Sequence, residues 1–150
     1  MQENSIYRFM HIKKTWRFML FKKVEIRNSV INGSGVFAVN PIRKGETVII
    51  WHPKKQLTLS DISNLSDAEK HFVLPLDQNT FLLMGEPERY VNHSCDPNTR
   101  VHKLADVAIK DIKAGEEITG DCTNDGTLIG FICNCGSINC SQGWIGPKGN

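Results

Sequence analysis

Three cysteines lie close together near the end of the sequence, in a segment rich in Gly, Ser and Asn. Cys133, Cys135 and Cys140 form a C-x-C-x4-C cluster within the stretch FICNCGSINCSQGW. Closely spaced thiols of this kind are typical of a zinc site, and structural zinc has four ligands. Cys95 and Cys122 are the other two cysteines. Buried thiols without a metal are the alternative, but they fit a polar, loop-like segment poorly.

The composition is that of an ordinary globular protein. The chain has 150 residues, 40% of them hydrophobic, which is enough for one domain whose core needs no disulfides. The formal net charge is +2, so nucleic acid is not indicated as a partner. Basic residues concentrate before residue 28, and a solvated basic face or tail is the simpler interpretation of them.

Neither a membrane span nor a secretion signal is predicted. No segment reaches about 18 consecutive apolar residues. The apolar run RFMLF at 17–21 is too short for a signal-peptide core and has no small-residue cleavage site after it. We therefore expect an intracellular location, cytoplasmic or nuclear. In such a reducing compartment, clustered cysteines act as metal ligands or catalytic groups rather than as disulfides.

Short apolar and β-branched runs separated by glycine turns predict a mainly β, β-rich α+β fold. One helix is expected over 60–72, where Ser66 and Glu69 have the spacing of a capping box. Residues 89–101 are expected to be mostly loop. The predicted strands cover 18–27, 36–39, 47–51, 80–85, 106–112 and 116–121.

Four motifs occur in a fixed order along the chain. They are GSGVFA at 33–38 ahead of PIRKGE, RYVNHSCDPN at 89–98, GEEITGD at 115–121, and the C-x-C-x4-C cluster. In this order they resemble a SET-domain protein lysine methyltransferase with a post-SET zinc segment. The resemblance covers roughly residues 22–146 and includes no pre-SET cysteine cluster. It implies small sheets of short strands, a threaded C-terminal loop, and a tail closed by zinc.

The resemblance also implies a domain division and a zinc ligand set. Residues 1–20 would be an N-terminal extension, 21–125 the SET domain, and 126–150 the post-SET segment. By resemblance the cysteine of the NHSC motif completes one zinc site. A site closed by four cysteines has no open position for water, so its role would be structural. The implied ligands are Cys95, Cys133, Cys135 and Cys140.

The cofactor implied by the resemblance is S-adenosylmethionine, and the implied substrate is a protein that presents a lysine, a histone or another protein. The glycines of the first motif would let the backbone approach the cofactor closely. Asn92 and His93 resemble the pair that holds the adenine and the methionine amine, and Arg89 resembles the partner of its carboxylate. Trp144 would stack on the adenine. The full implied cofactor set is Gly33, Ser34, Gly35, Arg89, Tyr90, Asn92, His93 and Trp144.

The sequence departs from the family pattern in GEEITGDC. Gly120 stands where an aromatic residue is usual, and Cys122 stands where the family has its catalytic tyrosine. Three interpretations remain open. In the first, the chain is an active methyltransferase whose catalytic positions are Tyr90 and Cys122, with the amine oriented by Tyr90, Tyr7 or Phe131. In the second, it is a catalytically impaired binding module. In the third, Cys122 is a redox or ligand thiol.

Overall fold

The chain folds into many short strands and little helix, which confirms the mainly β prediction. The computed structural model describes residues 23–123, 130–140 and 143–145, with the backbone alone at Trp144. The expectations for residues 1–20, for Tyr7 and for a strand beginning at Phe18 therefore lie outside the described residues. None of the described helices has the length and apolar character that a bilayer span requires.

Twelve strands and two short helices lie in the described part of the chain. The strands are β1 (Val24–Asn28), β2 (Ser34–Ala38), β3 (Thr47–Ile50), β4 (Lys55–Leu57), β5 (Val73–Pro75), β6 (Phe81–Leu83), β7 (Asn92–His93), β8 (Thr99–Val101), β9 (Ala105–Ala108), β10 (Glu117–Gly120), β11 (Phe131–Ile132) and β12 (Trp144–Ile145). The helices are α1 (Leu59–Ser63) and α2 (Asp67–Lys70), and a 3-10 turn covers Glu88–Tyr90.

The strands form small sheets, as the family resemblance implied. The sheet orders are β1-β2-β10-β7, β3-β9-β8, β4-β6-β5 and β11-β12. All the pairs are antiparallel except β7 with β10, in which Thr119 pairs with Asn92 and Gly120 with His93. This parallel pair brings the NHSC motif alongside the end of the GEEIT strand. Residues from two predicted motifs therefore meet at one sheet edge.

Two apolar clusters form the core. The larger one joins strands of the first two sheets around Val36, Val48 and Ile118, each with 0% exposure. The smaller one packs Leu57 and Phe81 of the third sheet under the helices. Burying side chains of this size stabilises the fold by about 1.5–3 kcal/mol each. Val36 and Ala38, and Phe81 and Leu83, are alternate residues of short strands, but Val48 and Ile49 are consecutive and Ile42 and Ile112 lie outside the strands.

The segment expected as one helix is two. The predicted capping box is present: Ser66 Oγ accepts a hydrogen bond from the Glu69 N–H at 3.3 Å, and Glu69 Oε2 accepts one from the Ser66 N–H at 3.1 Å. An N-cap residue has extended backbone, and Ser66 has ψ 155°. A helix cannot run through such a residue, so α1 ends before it and α2 begins after it.

The loop after the NHSC motif is fixed to β10 by a buried amide. Asn98 is 3% exposed, and its Oδ1 accepts from the Thr119 N–H at 2.9 Å. Its Nδ2 donates to the Glu117 carbonyl at 2.7 Å. Asn98 thus satisfies buried backbone groups that a sheet neighbour would otherwise pair. Residues 89–101, expected to be mostly loop, include the short strands β7 and β8 and the end of the 3-10 turn.

A carboxylic acid is buried in β9. Asp106 is 2% exposed, and burial, with a further contribution from the nearby Glu88 charge, raises its pKa to about 7. The folded chain therefore holds a proton there between about pH 4 and pH 7 that the unfolded chain has released.

The free energy of unfolding should fall as pH rises through this window, and Asp106→Asn should remove the decline. Urea titrations across that range would measure the free energy of unfolding, which above pH 7 should be up to about 4 kcal/mol higher in Asp106→Asn than in the unchanged protein.

Asp67→Asn is the matched control for this prediction. Asp67 lies on α2 with a side chain 96% exposed, so the same chemical change there should leave the pH profile nearly as it was. If Asp106→Asn unfolds with the pH dependence of the unchanged protein, Asp106 is ionised in the folded state.

Candidate functional site

Asn92 is the centre of a hydrogen-bond network at the junction of β2, β7 and β10. Its Nδ2 donates to Glu117 Oε1 at 2.8 Å, to the Ser34 carbonyl at 3.0 Å and to the Asn32 carbonyl at 3.4 Å. All three neighbours are acceptors, which fixes the orientation of the amide. Asn92 Oδ1 has no hydrogen-bond donor among the described residues. The site thus presents one oriented acceptor.

Glu117 holds this amide in place. Its carboxylate accepts from Asn92 and, at 2.8 and 2.9 Å, from Ser29 Oγ. Hydrogen bonds to an ionised carboxylate are among the stronger ones in proteins. Neither Glu117 nor Ser29 was among the predicted site residues. No local signal singles out Glu117, which is the first residue of β10, directly follows Glu116, and has a counterpart in Glu25 of β1.

The glycine-rich turn is packed against this network. A Cβ added to Gly35 would lie 2.2 Å from Glu117 Oε1 and 2.9 Å from Ser29 Cβ. Gly35 is therefore required so that the carboxylate can approach the backbone of β2. Gly33 has φ +45°, which favours glycine, and a Cβ there would meet nothing within 4 Å. The two predicted glycines thus have different reasons to be glycine, one packing and one backbone conformation.

Arg89 and Tyr90 form a second group on the 3-10 turn. The Arg89 guanidinium donates to Tyr90 Oη at 2.6 Å, pairs with Glu86, and lies 5.1 Å from the centre of the Phe72 ring. Tyr90 packs edge to face on Phe72 with a centroid distance of 6.2 Å. The contacts with Glu86 and Tyr90 use Arg89 Nη2, so a ligand carboxylate bound there would have to replace Glu86. Arg89 Nε is buried and has no hydrogen-bond partner among the described residues.

His93 is buried and both of its ring nitrogens have partners. Nδ1 accepts from the Cys122 N–H at 3.1 Å, so the ring proton lies on Nε2, which is 3.5 Å from Cys95 Sγ. The Phe131 ring packs against His93 with a centroid distance of 5.7 Å. The imidazole therefore links the end of β10 to the cysteine cluster. Such contacts orient a metal ligand and stabilise its charge.

The four predicted zinc ligands come together. The Sγ atoms of Cys95, Cys133, Cys135 and Cys140 all lie within 4.8 Å of one another. Two of the separations are 3.7 Å, between Cys95 and Cys133, and 3.5 Å, between Cys140 and Cys133. A tetrahedral zinc with Zn–S bonds of about 2.3 Å places its sulfurs about 3.8 Å apart. The cluster has the size and the donor chemistry of a four-cysteine zinc site.

The thiols of this cluster differ in their acidity. Burial raises the pKa of Cys133 to about 12. The pKa of Cys135 is lowered to about 5 although its burial acts in the opposite direction. The cause is hydrogen bonding that stabilises the thiolate, first from the Cys95 N–H and then from Ser137. A thiolate at Cys133 therefore needs a cation beside it, and a metal ion bound by all four sulfurs supplies one.

The departures from the family pattern face a cleft. Gly120 and Cys122 line a cavity of about 850 Å³, together with Val91 and Phe72. A Cβ added to Gly120 would meet only Val91 Cγ1, at 3.8 Å, which is an ordinary contact. A side chain at position 120 thus has space for its Cβ. Cys122 is half-buried, and the four-sulfur group does not include it.

The described part of the tail contains a short antiparallel strand pair. Phe131 pairs with Ile145 and Ile132 with Trp144, and the Cys133 N–H donates to the Gly143 carbonyl at 3.0 Å. The predicted stacking of Trp144 concerns a side chain that lies outside the described residues. The domain boundaries at 20 and 125 remain predictions, because both positions lie outside the described residues.

Comparisons with known proteins found relatives that match most of this chain. A Plasmodium falciparum protein named variant-silencing SET domain-containing protein is 24% identical over 156 residues, covering 91% of this chain and 6% of its own length. The histone-lysine N-methyltransferase mes-4 of Caenorhabditis elegans is 28% identical over 157 residues, covering 87% and 18% respectively. The histone-lysine N-methyltransferase ASHR3 of Arabidopsis thaliana is 29% identical over 143 residues, covering 85% and 29%.

This chain therefore spans less than a third of the length of each of these relatives. The family model described as SET domain matches residues 33–123, which is more than half of the chain. The matched region contains the glycine turn, the Asn92 network, Cys95 and the end of β10. Together with its small sheets, this match shows that the chain belongs to the SET domain family.

Proposed function

We propose that the chain is an S-adenosylmethionine-dependent protein-lysine N-methyltransferase with one structural zinc. The observation that carries the proposal is the oriented Asn92 amide at the junction of β2, β7 and β10. Membership of the SET family and relatives named histone-lysine N-methyltransferases support it. The substrate would be a protein that presents a lysine, a histone or another protein, and the location would be intracellular, cytoplasmic or nuclear.

The hydrogen-bonding groups at this junction fit the amino-acid part of the cofactor. The outward Oδ1 of Asn92 would accept from the cofactor's ammonium, and the backbone of Gly33, Ser34 and Gly35 would lie against the rest of the molecule. Both ring nitrogens of His93 already have partners, so its backbone groups would bind the cofactor. Arg89 would take the carboxylate in place of Glu86, and Tyr90 would line the junction with the lysine channel. Trp144 would cover the adenine from the tail.

The proposed zinc would join the tail to the domain. Cys95 belongs to the loop after β7, whereas the other three ligands follow β11. One ion bound by all four would fix the tail beside His93, next to the proposed cofactor site. It has no open coordination position and so would take no part in the chemistry.

When bound, the cofactor supplies a methyl group on a positively charged sulfur. The chain's residues would align a neutral lysine amine with it, and alignment can supply much of the rate enhancement. The predominantly apolar cleft at Gly120 and Cys122 would favour the neutral amine, because burial disfavours an ammonium. Tyr90 or Phe131 would orient the amine in place of the usual tyrosine.

A binding module without turnover is the second candidate. The absence of a hydroxyl at Cys122 and of a wall at Gly120 favours it, because both positions line the cleft. A module of this kind would keep the zinc and the cofactor site. Cofactor binding therefore tests the proposed site, while methyl transfer separates the two functions.

S-adenosylmethionine at about 100 times its dissociation constant should stabilise the chain by about 2.7 kcal/mol. The melting temperature should rise by about 5–10 °C. Asn92→Ala should abolish most of this rise, because it removes the acceptor. Differential scanning fluorimetry measures the shift, and calorimetry the affinity. A chain with no thermal response at millimolar cofactor would contradict the assignment of the site.

Glu117→Gln should weaken cofactor binding about ten-fold, because the amide group replaces an acceptor of the Asn92 amide with a mixed donor and acceptor. Glu116→Gln is the matched control. The Glu116 carboxylate accepts from Asn98 and from the Lys113 N–H, away from Asn92. Equal affinities of the two variants would mean that Glu117 does not position the amide.

A further inference from the structure

Ser29 follows the last residue of β1 and is hydrogen-bonded to a residue 88 positions further along the chain. Its Oγ lies 2.8 and 2.9 Å from the two carboxylate oxygens of Glu117. The same Oγ accepts a hydrogen bond from the Ile31 N–H at 2.9 Å. A hydroxyl has one proton to donate, and a carboxylate only accepts. The Ser29 proton therefore lies toward Glu117, which fixes the direction of this hydrogen bond.

The backbone of the turn between β1 and β2 holds Ser29 in this place. The Ser29 N–H donates to the Gly33 carbonyl at 2.9 Å. Ser29 Cβ would lie only 2.9 Å from a Cβ added to Gly35, so the glycine leaves the space in which the serine approaches the carboxylate. The hydroxyl is thus held by backbone contacts on one side and faces Glu117 on the other.

The Glu117 carboxylate joins this serine to Asn92. Within the described part of the chain its hydrogen-bond donors are Ser29 and Asn92, and Oε1 accepts from both of them. A glutamate side chain has several rotamers. The contact with Ser29 selects the rotamer in which Oε1 meets Asn92 Nδ2 at 2.8 Å. Hydrogen bonds that follow one another in this way strengthen each other, so the loss of the first weakens the last.

We propose that Ser29 is a positioning residue for the cofactor's amino group, acting through Glu117 and Asn92. The other acceptors of Asn92 Nδ2, the Ser34 and Asn32 carbonyls, lie farther away than Glu117 Oε1, at 3.0 and 3.4 Å against 2.8 Å. Without the serine hydroxyl the carboxylate can turn toward water, and the amide loses its closest acceptor. Asn92 Oδ1 is then held less firmly toward the ammonium. The proposal rests on the proposed function in taking S-adenosylmethionine as the ligand.

A serine that only shapes the turn would give a different result. Replacing such a residue disturbs the whole glycine-rich turn, so every ligand that lies against the turn binds more weakly. Replacing a serine that positions Asn92 weakens only those ligands whose amino group donates to Asn92 Oδ1. Two ligands that differ in the amino group alone therefore separate the two roles of Ser29.

The test compares S-adenosylhomocysteine with its analogue that lacks the α-amino group, by calorimetry on the full chain. Ser29→Ala should bind S-adenosylhomocysteine about five-fold more weakly, the loss expected for one half-buried hydrogen bond, and the deaminated analogue with unchanged affinity. Ser60→Ala is the matched control, because Ser60 lies on α1 and its hydroxyl pairs with Thr58 Oγ1. In a Glu117→Ala background, Ser29→Ala should cause no further loss, because the group through which it acts is gone.

NMR without any ligand tests the positioning independently of the proposed function. The Asn92 side-chain N–H should exchange with water about five-fold faster in Ser29→Ala than in the unchanged protein or in Ser60→Ala. An unchanged exchange rate, equal losses for the two ligands, or no loss for either overturns the proposal and leaves Ser29 a turn residue. If the unchanged protein binds neither ligand, the proposed function is contradicted, and the exchange rate alone then decides whether Ser29 positions Asn92.

Discussion

Cys133→Ser is expected to reduce the zinc content from about one ion per chain to none. Cys133 is 1% exposed and its Sγ contacts those of Cys95 and Cys140, and a serine hydroxyl is not one of the usual zinc ligands. Binding of structural zinc contributes several kcal/mol or more to the folding of the segment it closes. We expect the melting temperature to fall by about 10 °C or more. Metal analysis of the purified protein and a thermal scan measure the two effects.

Cys122→Ser is the matched control, because Cys122 lies outside the four-sulfur group. It should retain the zinc and nearly all of the stability. Cys95→Ser should behave like Cys133→Ser, since it removes the ligand that comes from the domain rather than from the tail. A Cys133→Ser protein that keeps its metal and melts normally would contradict the proposed site, and metal loss in Cys122→Ser would assign Cys122 a ligand role.

Cys122→Tyr is expected to increase lysine methylation about ten-fold or more, because a single positioned polar group is often worth about 10²-fold in rate. Cys122 lines the cleft and its N–H donates to His93 Nδ1, so the backbone at this position is held. The tyrosine would place a hydroxyl near the reacting amine. Adding an aromatic side chain at Gly120, where a Cβ has space, should raise the rate further.

The measurement is initial rate of methyl transfer at saturating cofactor, with Cys122→Phe as the control that adds a ring without a hydroxyl. A rate gain in the tyrosine variant alone identifies the hydroxyl as the missing group. Loss of an activity already present would show that the cleft has adapted to the small thiol and that another group orients the amine. Indifference of both binding and rate to the change would mean that position 122 does not face the reacting amine.

The grouping of the four cysteines could be predicted, for three of them because their signal is local. Three cysteines in eight residues of a polar segment indicate a metal whatever the rest of the fold is, and the motif order supplied the fourth ligand. Asn92 and Ser34, which the structure brings together, were both predicted site residues, whereas Asn32, Ser29 and Glu117 were not. The NHSC and GEEIT motifs meet through the parallel pairing of β7 with β10, which the residue pattern does not specify.

The supporting residues could not be predicted in this way. Glu117 matters because a carboxylate, a serine hydroxyl and a glycine backbone meet across three strands, and no local pattern encodes that meeting. Asp106 and Glu88 look like ordinary charged residues in the sequence, and only their burial distinguishes them. The division of the helix at Ser66 was implicit in its capping box, since an N-cap starts a helix and cannot lie inside one.

Transfer of an isotopically labelled methyl group tests the proposed methyltransferase most directly. The protein, its Asn92→Ala variant and deuterated-methyl S-adenosylmethionine would be incubated with histones and with a mixed pool of other proteins, and lysine residues mapped by mass spectrometry. We predict labelled methyl-lysine with the unchanged protein and at least ten-fold less with Asn92→Ala. Cofactor binding without any labelled lysine in either pool, even with Cys122→Tyr, would contradict the account and leave a SET-fold binding module.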